Sequence, residues 1–379
     1  MREFPLGAAL TVADLEGDPH ARLAELRERE PVSWLPALGG WLVTRRDLAL
    51  ATMRDAGTFT VQDPRFTTAR VVGESMLSLD GPAHARHRAP FVAPLRIGEA
   101  RGRLADAVRE ETGRLIDELA PAGEAELRRG FAGPLSTAVV TRALGLSHAA
   151  VDAVLGWYDA IVAAVTDLTA GREPRGDAAA AVAALGEAVR GSALEIDGLS
   201  DAEVTSNAAV LLFGGIETTE GMIANALVHL LSDPEALAAV LRDHGLIGGA
   251  VEESLRLEPA AAVIDRYATA DAQLGGARIA AGDLVRLSIA AANRDPATFP
   301  DPDRFDLRRP NAGRHLAFAA GPHVCIGMHL ARQEAHTAIG TLLDRLPGLR
   351  LDPARPPAIR GLVFRKPPEL YVSWDAPYA

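Results

Sequence analysis

The sequence predicts a mainly α fold carrying small β-sheets (α+β), and three observations carry that expectation. Ser200 with Glu203 three residues on forms a capping-box start, and the helical pattern that follows runs unbroken to the stop at Ser232-Asp233-Pro234. That is about 30 residues, or roughly 45 Å at the helical rise. From Ala83 to Ile196 the chain reads as successive helices broken at Pro121, at Gly145 and in GREPRGD (171–177). Strand patterns are short and sit outside this block. A helix at about 200–232 long enough to cross a whole unit implies one domain spanning 1–379.

Taken in order, VSWLP and WLVT read as a hairpin around Gly39 and Gly40, followed by a helix from Arg46 to Asp55. Gly57 to Leu79 has no sustained period and reads as a long, functional loop. The alanine-rich DAAAAVAALGEAVRGSAL is helical, because alanine is the best helix former. DAQLGGARI and LVRLSIA read as strands, with a tight turn at Gly275-Gly276, and a last strand pair is expected in GLVFRKPPELYVSW.

Hydrophobic residues are 48% of the chain and charged residues 23%, an ordinary balance for a folded core. A net charge of −11 argues against nucleic acid and anionic membranes as partners. No signal-peptide pattern and no long apolar run is present, so a cytoplasmic protein without a membrane span is expected. One cysteine cannot form an internal disulfide.

Four segments break local rules. In LLFGGIETTE, Gly214 and Gly215 sit in a helix interior, each costing about 1 kcal/mol relative to alanine. Gly214 and Thr218 share a face, which makes either a notch for something flat or bulky, or a tight helix contact with Thr218 bonding back to the chain. Glu253 and Arg256 in EESLR are spaced i, i+3, as in a surface ion pair. His84 and Arg88 align on one face, to hold an anion or to form a solvated basic face. In FAAGPHVCIGMHLAR, Gly321 and Gly327 bracket Cys325 at a helix start, where the dipole lowers a thiol's pKa. A nucleophile with His323 as base, a redox sensor, a metal ligand and an inert buried thiol are all readings of it. A single axial thiolate to haem needs one cysteine only.

Together these segments resemble the cytochrome P-450 family, and in particular its soluble bacterial members. FAAGPHVCIG is similar to the family's haem-binding signature at Phe318, Gly321, His323, Cys325 and Gly327; EESLR carries its Glu-x-x-Arg; GGIETT matches its oxygen-activating helix; and AANRDPATFPDPDRFD resembles the segment before the cysteine loop. The resemblance implies haem b held between the central helix and the Cys325 loop. Cys325 would be the iron ligand, with the N–H groups of Ile326 and Gly327 tuning the sulfur and Phe318 shielding it. It implies His84, Arg88, Arg266 and His323 as propionate partners, Glu253, Arg256 and Arg304 as a buried ion network, and Glu217 with Thr218 as the acid–alcohol pair. The glycines at 214 and 215 would leave room for O2.

An apolar substrate would be lined by the loop of the 60s and 70s, Val210, Phe213, Gly214, Ala262, Val263, Ile264, Leu362 and Val363. Ala319, Ile216 and Ala89 depart from common family residues, Ala319 standing where glycine often follows the phenylalanine. The implied activity is O2-dependent hydroxylation or epoxidation of a natural product, terpenoid, steroid or fatty acid by a monomer. Electrons would come from a ferredoxin and its NAD(P)H-dependent reductase, docking near Arg314 and Arg332. A peroxygenase, an oxidative coupling enzyme and a non-catalytic sensor are the alternatives; retention of Glu217 and Thr218 favours O2.

Overall fold

The computed structural model describes residues 4–146, 149–169, 172–174, 176–192 and 196–375. Three short helices, α1 (Pro5–Ala9), α2 (Val12–Glu16) and α3 (His20–Arg29), lead into the hairpin β1 (Val32–Leu35) and β2 (Gly40–Val43). Gly39 turns this hairpin at φ 58°. Then come α4 (Arg46–Arg54), β3 (Phe59–Thr60), α5 (Thr67–Val72), α6 (Gly81–Val92), α7 (Ile97–Arg101) and α8 (Arg103–Leu119). The expected long loop at 57–79 is therefore partly structured. Phe59 pairs with Ala268 and α5 packs against a later helix, burial that a local reading of 57–79 does not register.

After β4 (Glu124–Glu126) follow α9 (Gly133–Ala143), α10 (Val151–Thr169), α11 (Ala178–Arg190) and the central helix α12 (Asp201–Ser232). The capping box is present: Glu203 N donates to Ser200 Oγ, and Ser200 N donates to the Glu203 carboxylate. Helix α12 is buried on nearly every side, as an apolar helix must be, against α9, α11 and two later helices, Ile247–Leu257 and Met328–Arg345. The chain continues through α13 (Pro234–Arg242), α14 (Ile247–Leu257), β5 (Val263–Ala268), β6 (Ala272–Leu274), β7 (Ala277–Ile279), β8 (Leu284–Ser288) and α15 (Ile289–Ala292). A long irregular stretch then reaches α16 (Met328–Arg345), β9 (Arg350–Leu351) and β10 (Tyr371–Ser373).

The largest sheet has the order β1-β2-β8-β5-β3, with β2 and β8 parallel and the other pairs antiparallel. β6 and β7 form a separate hairpin on Gly275-Gly276. The strand pair expected within GLVFRKPPELYVSW divides instead: Phe364 and Lys366 make isolated bridges to Ala261 and Arg360, and only Tyr371–Ser373 joins a ladder, with β4 and β9. Pro367 and Pro368 stand between the two parts and cannot donate to a ladder. Among the described residues no helix is long and apolar enough to cross a membrane.

Candidate functional site

The loop before α16 is shaped by contacts that its glycines permit. Gly321 has φ 72°, and a Cβ there would lie 2.6 Å from the Met53 carbonyl at the end of α4. Ala319, where the family often has glycine, is held at φ 56°, in the left-handed region that costs an alanine about 1 kcal/mol or more. Cys325 N donates to Phe318 O at 2.9 Å, closing the loop, and the Gly327 N–H is directed to the thiol. Arg332 lies over the Phe318 ring at 4.4 Å and grips the Glu252 carboxylate at 2.5 and 3.1 Å. The thiol does not follow the expected downward shift. Although the residue is exposed, the protein atoms crowded around the sulfur desolvate it and push it up, outweighing the Gly327 N–H and the cations Arg88 and Arg332, which pull it down.

Beside the loop, α6 and β5 bring four expected residues together. The His84 and His323 rings lie 4.4 Å apart, tilted by 46°. Arg88 donates to Val324 O at 2.6 Å, tying α6 to the residue before Cys325, and the buried Arg266 donates to Asp265 O at 2.7 Å. The Asp80 carboxylate ties the cluster together. It accepts from His323 Nε2 at 2.8 Å, Thr60 Oγ1 at 2.6 Å and Val61 N at 2.9 Å. Burial alone would raise Asp80, but these bonds bring it down to about 2. His84 is pushed down to about 4 by burial and then by His323 and Arg88. Its buried Nε2 has no hydrogen-bond partner among the described residues. Arg88 and Arg266, with an unpartnered buried ring nitrogen beside them, give this cluster room to take an additional anion. Asp80 went unnoticed in the sequence, although it is the lone acid of a basic segment and the N-cap of α6.

On α12 the two glycines do different work. A Cβ at Gly214 would meet nothing described within 4 Å, whereas one at Gly215 would lie 2.8 Å from Val140 Cγ2 on α9. Gly214 alone is the notch; Gly215 allows close helix packing. Thr218 is partly exposed on the Gly214 face and donates to Gly214 O at 2.6 Å. Glu217, one position round, is buried and points elsewhere. The Tyr158 hydroxyl donates to its Oε2, and Lys366 Nζ lies 2.7 Å from its Oε1.

Glu253 and Arg256 are fully buried, not a surface pair, and bond twice, at 2.7 and 2.8 Å. Their third partner is Arg309, whose Nε donates to Glu253 Oε1 at 2.7 Å. The Arg304 side chain is exposed and only its carbonyl takes part, accepting from Arg256 and Arg309. The expected pocket list also divides. Val210 and Phe213 are buried on α12, Phe213 edge-on to Phe364 at 5.3 Å. Val263 is buried in β5, and Ile264 is half-buried against the large sheet. Val363 O accepts from Ala262 N at 2.8 Å, which turns Ala262 and Leu362 into the cluster of Leu15, Leu23 and Leu42 under the N-terminal helices. Those two side chains line that core.

The family model for cytochrome P450 matches residues 179–372. Cytochrome P450 107B1 of Saccharopolyspora erythraea is 34% identical, the match covering 88% of this chain and 89% of that protein. The chain belongs to the cytochrome P450 family. Mycinamicin IV hydroxylase/epoxidase of Micromonospora griseorubida is 36% identical over 93% of this chain and 95% of its own. The solved structure of cytochrome P450 CREJ, in complex with (4-ethylphenyl) dihydrogen phosphate, has a TM-score of 0.86 at 27% identity, covering 97% of this chain and 100% of that one. This is a P450 monooxygenase with the mainly helical P450 fold, and the family implies a haem, O2 and an organic substrate. The residues fit such a group. A P450 haem needs one thiol open to it and cations for its carboxylates, and this chain presents Cys325, exposed although its loop is densely packed, with the orphaned His84 Nε2, Arg88 and Arg266 nearby.

Proposed function

We propose that this P450 binds haem b and hydroxylates or epoxidises an apolar small molecule of the natural-product, terpenoid, steroid or fatty-acid class. The observation that carries this reading is the pairing of one exposed, backbone-bonded thiol with a basic cluster whose buried His84 Nε2 lacks a partner. Cys325 would hold the iron. Haem, when bound, supplies the centre at which O2 is reduced and one oxygen atom is passed to substrate. Phe318, pinned by Arg332, would shield the sulfur once haem is bound. His84, Arg88 and Arg266 would take the two propionates, with His323 held in place by Asp80.

Thr218 can turn its hydroxyl from Gly214 O toward oxygen in the notch, and Glu217 is the nearest buried acid on the same helix. Val210, Phe213, Phe364 and Ile264 supply the apolar wall. The name Mycinamicin IV hydroxylase/epoxidase, borne by a relative, joins the two outcomes proposed here.

Electrons would come from a ferredoxin with its NAD(P)H-dependent reductase, meeting the cysteine side of the molecule. A cleft of about 350 Å³ lies there between α7, α14 and α16, edged by Ile97, Val251, His329 and His336. Arg314 remains exposed for the donor, while Arg332 is engaged with Glu252. Reversal of Arg314 should weaken ferredoxin affinity.

The first test is the visible spectrum of the dithionite-reduced protein under CO. A strongly red-shifted Soret band that disappears in Cys325→Ala is expected. Failure to bind haem, or a bound haem without the shift, overturns the reading. A surrogate ferredoxin system then tests for oxygenated product.

A further inference from the structure

The segment 73–79 between α5 and α6 is fastened to the central helix at two points. Just before it, Val72 O accepts from Ser206 Oγ at 2.6 Å, and in its middle Met76 N donates to Asn207 Oδ1 at 2.8 Å. Asp80, the carboxylate that binds His323, follows it directly. On α12, Gly214 stands seven residues and Thr218 eleven residues beyond Asn207. At about 100° per residue all three lie within about 20° of one line, with Asn207 about 10 Å along the axis from the notch. The segment is therefore anchored on the stripe of α12 that carries Gly214 and Thr218.

Asn207 is wholly buried, and the groups around its amide have fixed roles. The Met76 N–H can only donate, so the Asn207 oxygen faces it. The Glu203 carbonyl can only accept, and it takes Asn207 Nδ2 at 2.7 Å. The same Nδ2 lies 3.0 Å from Nδ1 of the buried His87 on α6. That ring nitrogen is then the acceptor, and the proton of a neutral imidazole sits on Nε2, 3.2 Å from Glu203 Oε1. Two backbone groups thus fix the tautomer of a histidine on another helix.

The charged and titratable groups facing His87 are Arg86, whose Nη2 is 3.0 Å from Nε2, Glu203 on α12, and His84 one turn earlier on α6. A proton added to Nδ1 sets two donors against each other at 3.0 Å. Turning the amide over relieves that contact, but sets its NH2 against the Met76 N–H and its oxygen against the Glu203 carbonyl. A protonated His87 and a fastened segment therefore exclude each other.

We infer that Asn207 and His87 are positioning residues, Asn207 holding 73–79 over the Gly214 face of α12 and His87 releasing it on protonation, and that together they set the size of molecule admitted there. This inference rests on the reading above of haem beside that notch and of this segment as a wall of the substrate space. The fastening is made of neutral hydrogen bonds, so its loss should raise the open population about five- to tenfold.

The experiment uses the haem-loaded protein, its CO spectrum recorded first. The ferric form is titrated with imidazole and with clotrimazole, a small and a bulky nitrogen ligand of iron, by Soret shift at neutral and mildly acid pH. Hydrogen exchange in the peptide carrying Met76 reports the segment independently of the iron. In wild type, acid should favour clotrimazole over imidazole about five- to tenfold and speed exchange at Met76. Asn207→Ala should show these loosened values at both pH values, and His87→Leu the fastened values at both. Asn207→Asp should reverse the trend, because a carboxylate accepts from Met76 N and from a protonated His87 but cannot donate to Glu203 O. If the CO spectrum shows no thiolate-bound haem, that reading fails and the size selection with it. If haem is bound but Asn207→Ala and Asn207→Asp match wild type in ligand ratio and exchange, the inference is overturned and the haem reading stands. His84 and His323 remain in His87→Leu, so a pH response that survives there belongs to them and overturns the role of His87. Should Asn207→Ala take up no haem, Asn207→Asp and His87→Leu decide in the same way.

Discussion

Replacing each arginine near Glu253 in turn separates buried charge from proximity in sequence. Arg256 is fully buried. It makes two bonds to Glu253 and donates to the carbonyls of Asn293, Pro302 and Arg304 at 3.1, 2.6 and 3.1 Å. In Arg256→Leu those carbonyls lose a donor and Glu253 keeps only Arg309 and the Asp306 N–H. Breaking a buried pair in this way costs about 3–5 kcal/mol. With an unfolding entropy of about 2 cal/mol/K per residue, a chain of this length loses about 5 °C in Tm. Arg309→Leu removes one charged hydrogen bond to Glu253 and three to carbonyls at the surface, for about 2 kcal/mol and about 2–3 °C. Arg304→Ala touches an exposed side chain and should stay within about 0.5 kcal/mol, under about 1 °C. The assay is thermal unfolding followed by far-UV circular dichroism, with loss of Soret absorbance alongside. A loss for Arg304→Ala as large as that for Arg309→Leu would falsify the assignment of Arg309 as the third member.

Three further outcomes follow from local geometry. Gly215→Ala drives a Cβ to 2.8 Å from Val140 and should destabilise by about 1–3 kcal/mol, whereas Gly214→Ala should leave Tm unchanged or raised but weaken CO binding, as titration of the reduced protein would reveal. Ala319→Gly relieves a left-handed alanine and should raise stability by about 1 kcal/mol in denaturant unfolding. His229, half-buried and bonded to Ser254, is pushed down from 6.5 to about 4 by desolvation. The unfolded chain therefore takes up a proton there before the folded one does. Stability falls as pH drops from 6.5 toward 4, by on the order of 3 kcal/mol, and His229→Gln should flatten that window in pH-dependent denaturation. An unchanged slope would count against it.

Local chemistry made much of the molecule readable. Ser200 and Glu203 announced α12 because a capping box is a contact between residues three apart. The β1–β2 hairpin and the β6–β7 turn were legible because their glycines adopt positive φ in place. The short β3, the helix α5 and the division of the C-terminal strands were not, since each depends on a partner far along the chain.

At the site, the residue types in the Cys325 loop, on α6 and on α12 were determined by the sequence itself, because thiol, cation and glycine carry their chemistry wherever they are placed. Tertiary structure decided which groups meet. Asp80 came to His323, Arg309 replaced Arg304, and Ala262 and Leu362 turned into the N-terminal core. Packing also reversed the direction of the Cys325 thiol, because desolvation depends on every atom around the sulfur and the helix end is only one neighbour. Glu217 shows the same division: its carboxyl is written in the sequence, but its hold comes from Tyr158, 59 residues before it, and from Lys366 near the other end of the chain. Charge pairing acts through space, and only the folded chain sets those distances.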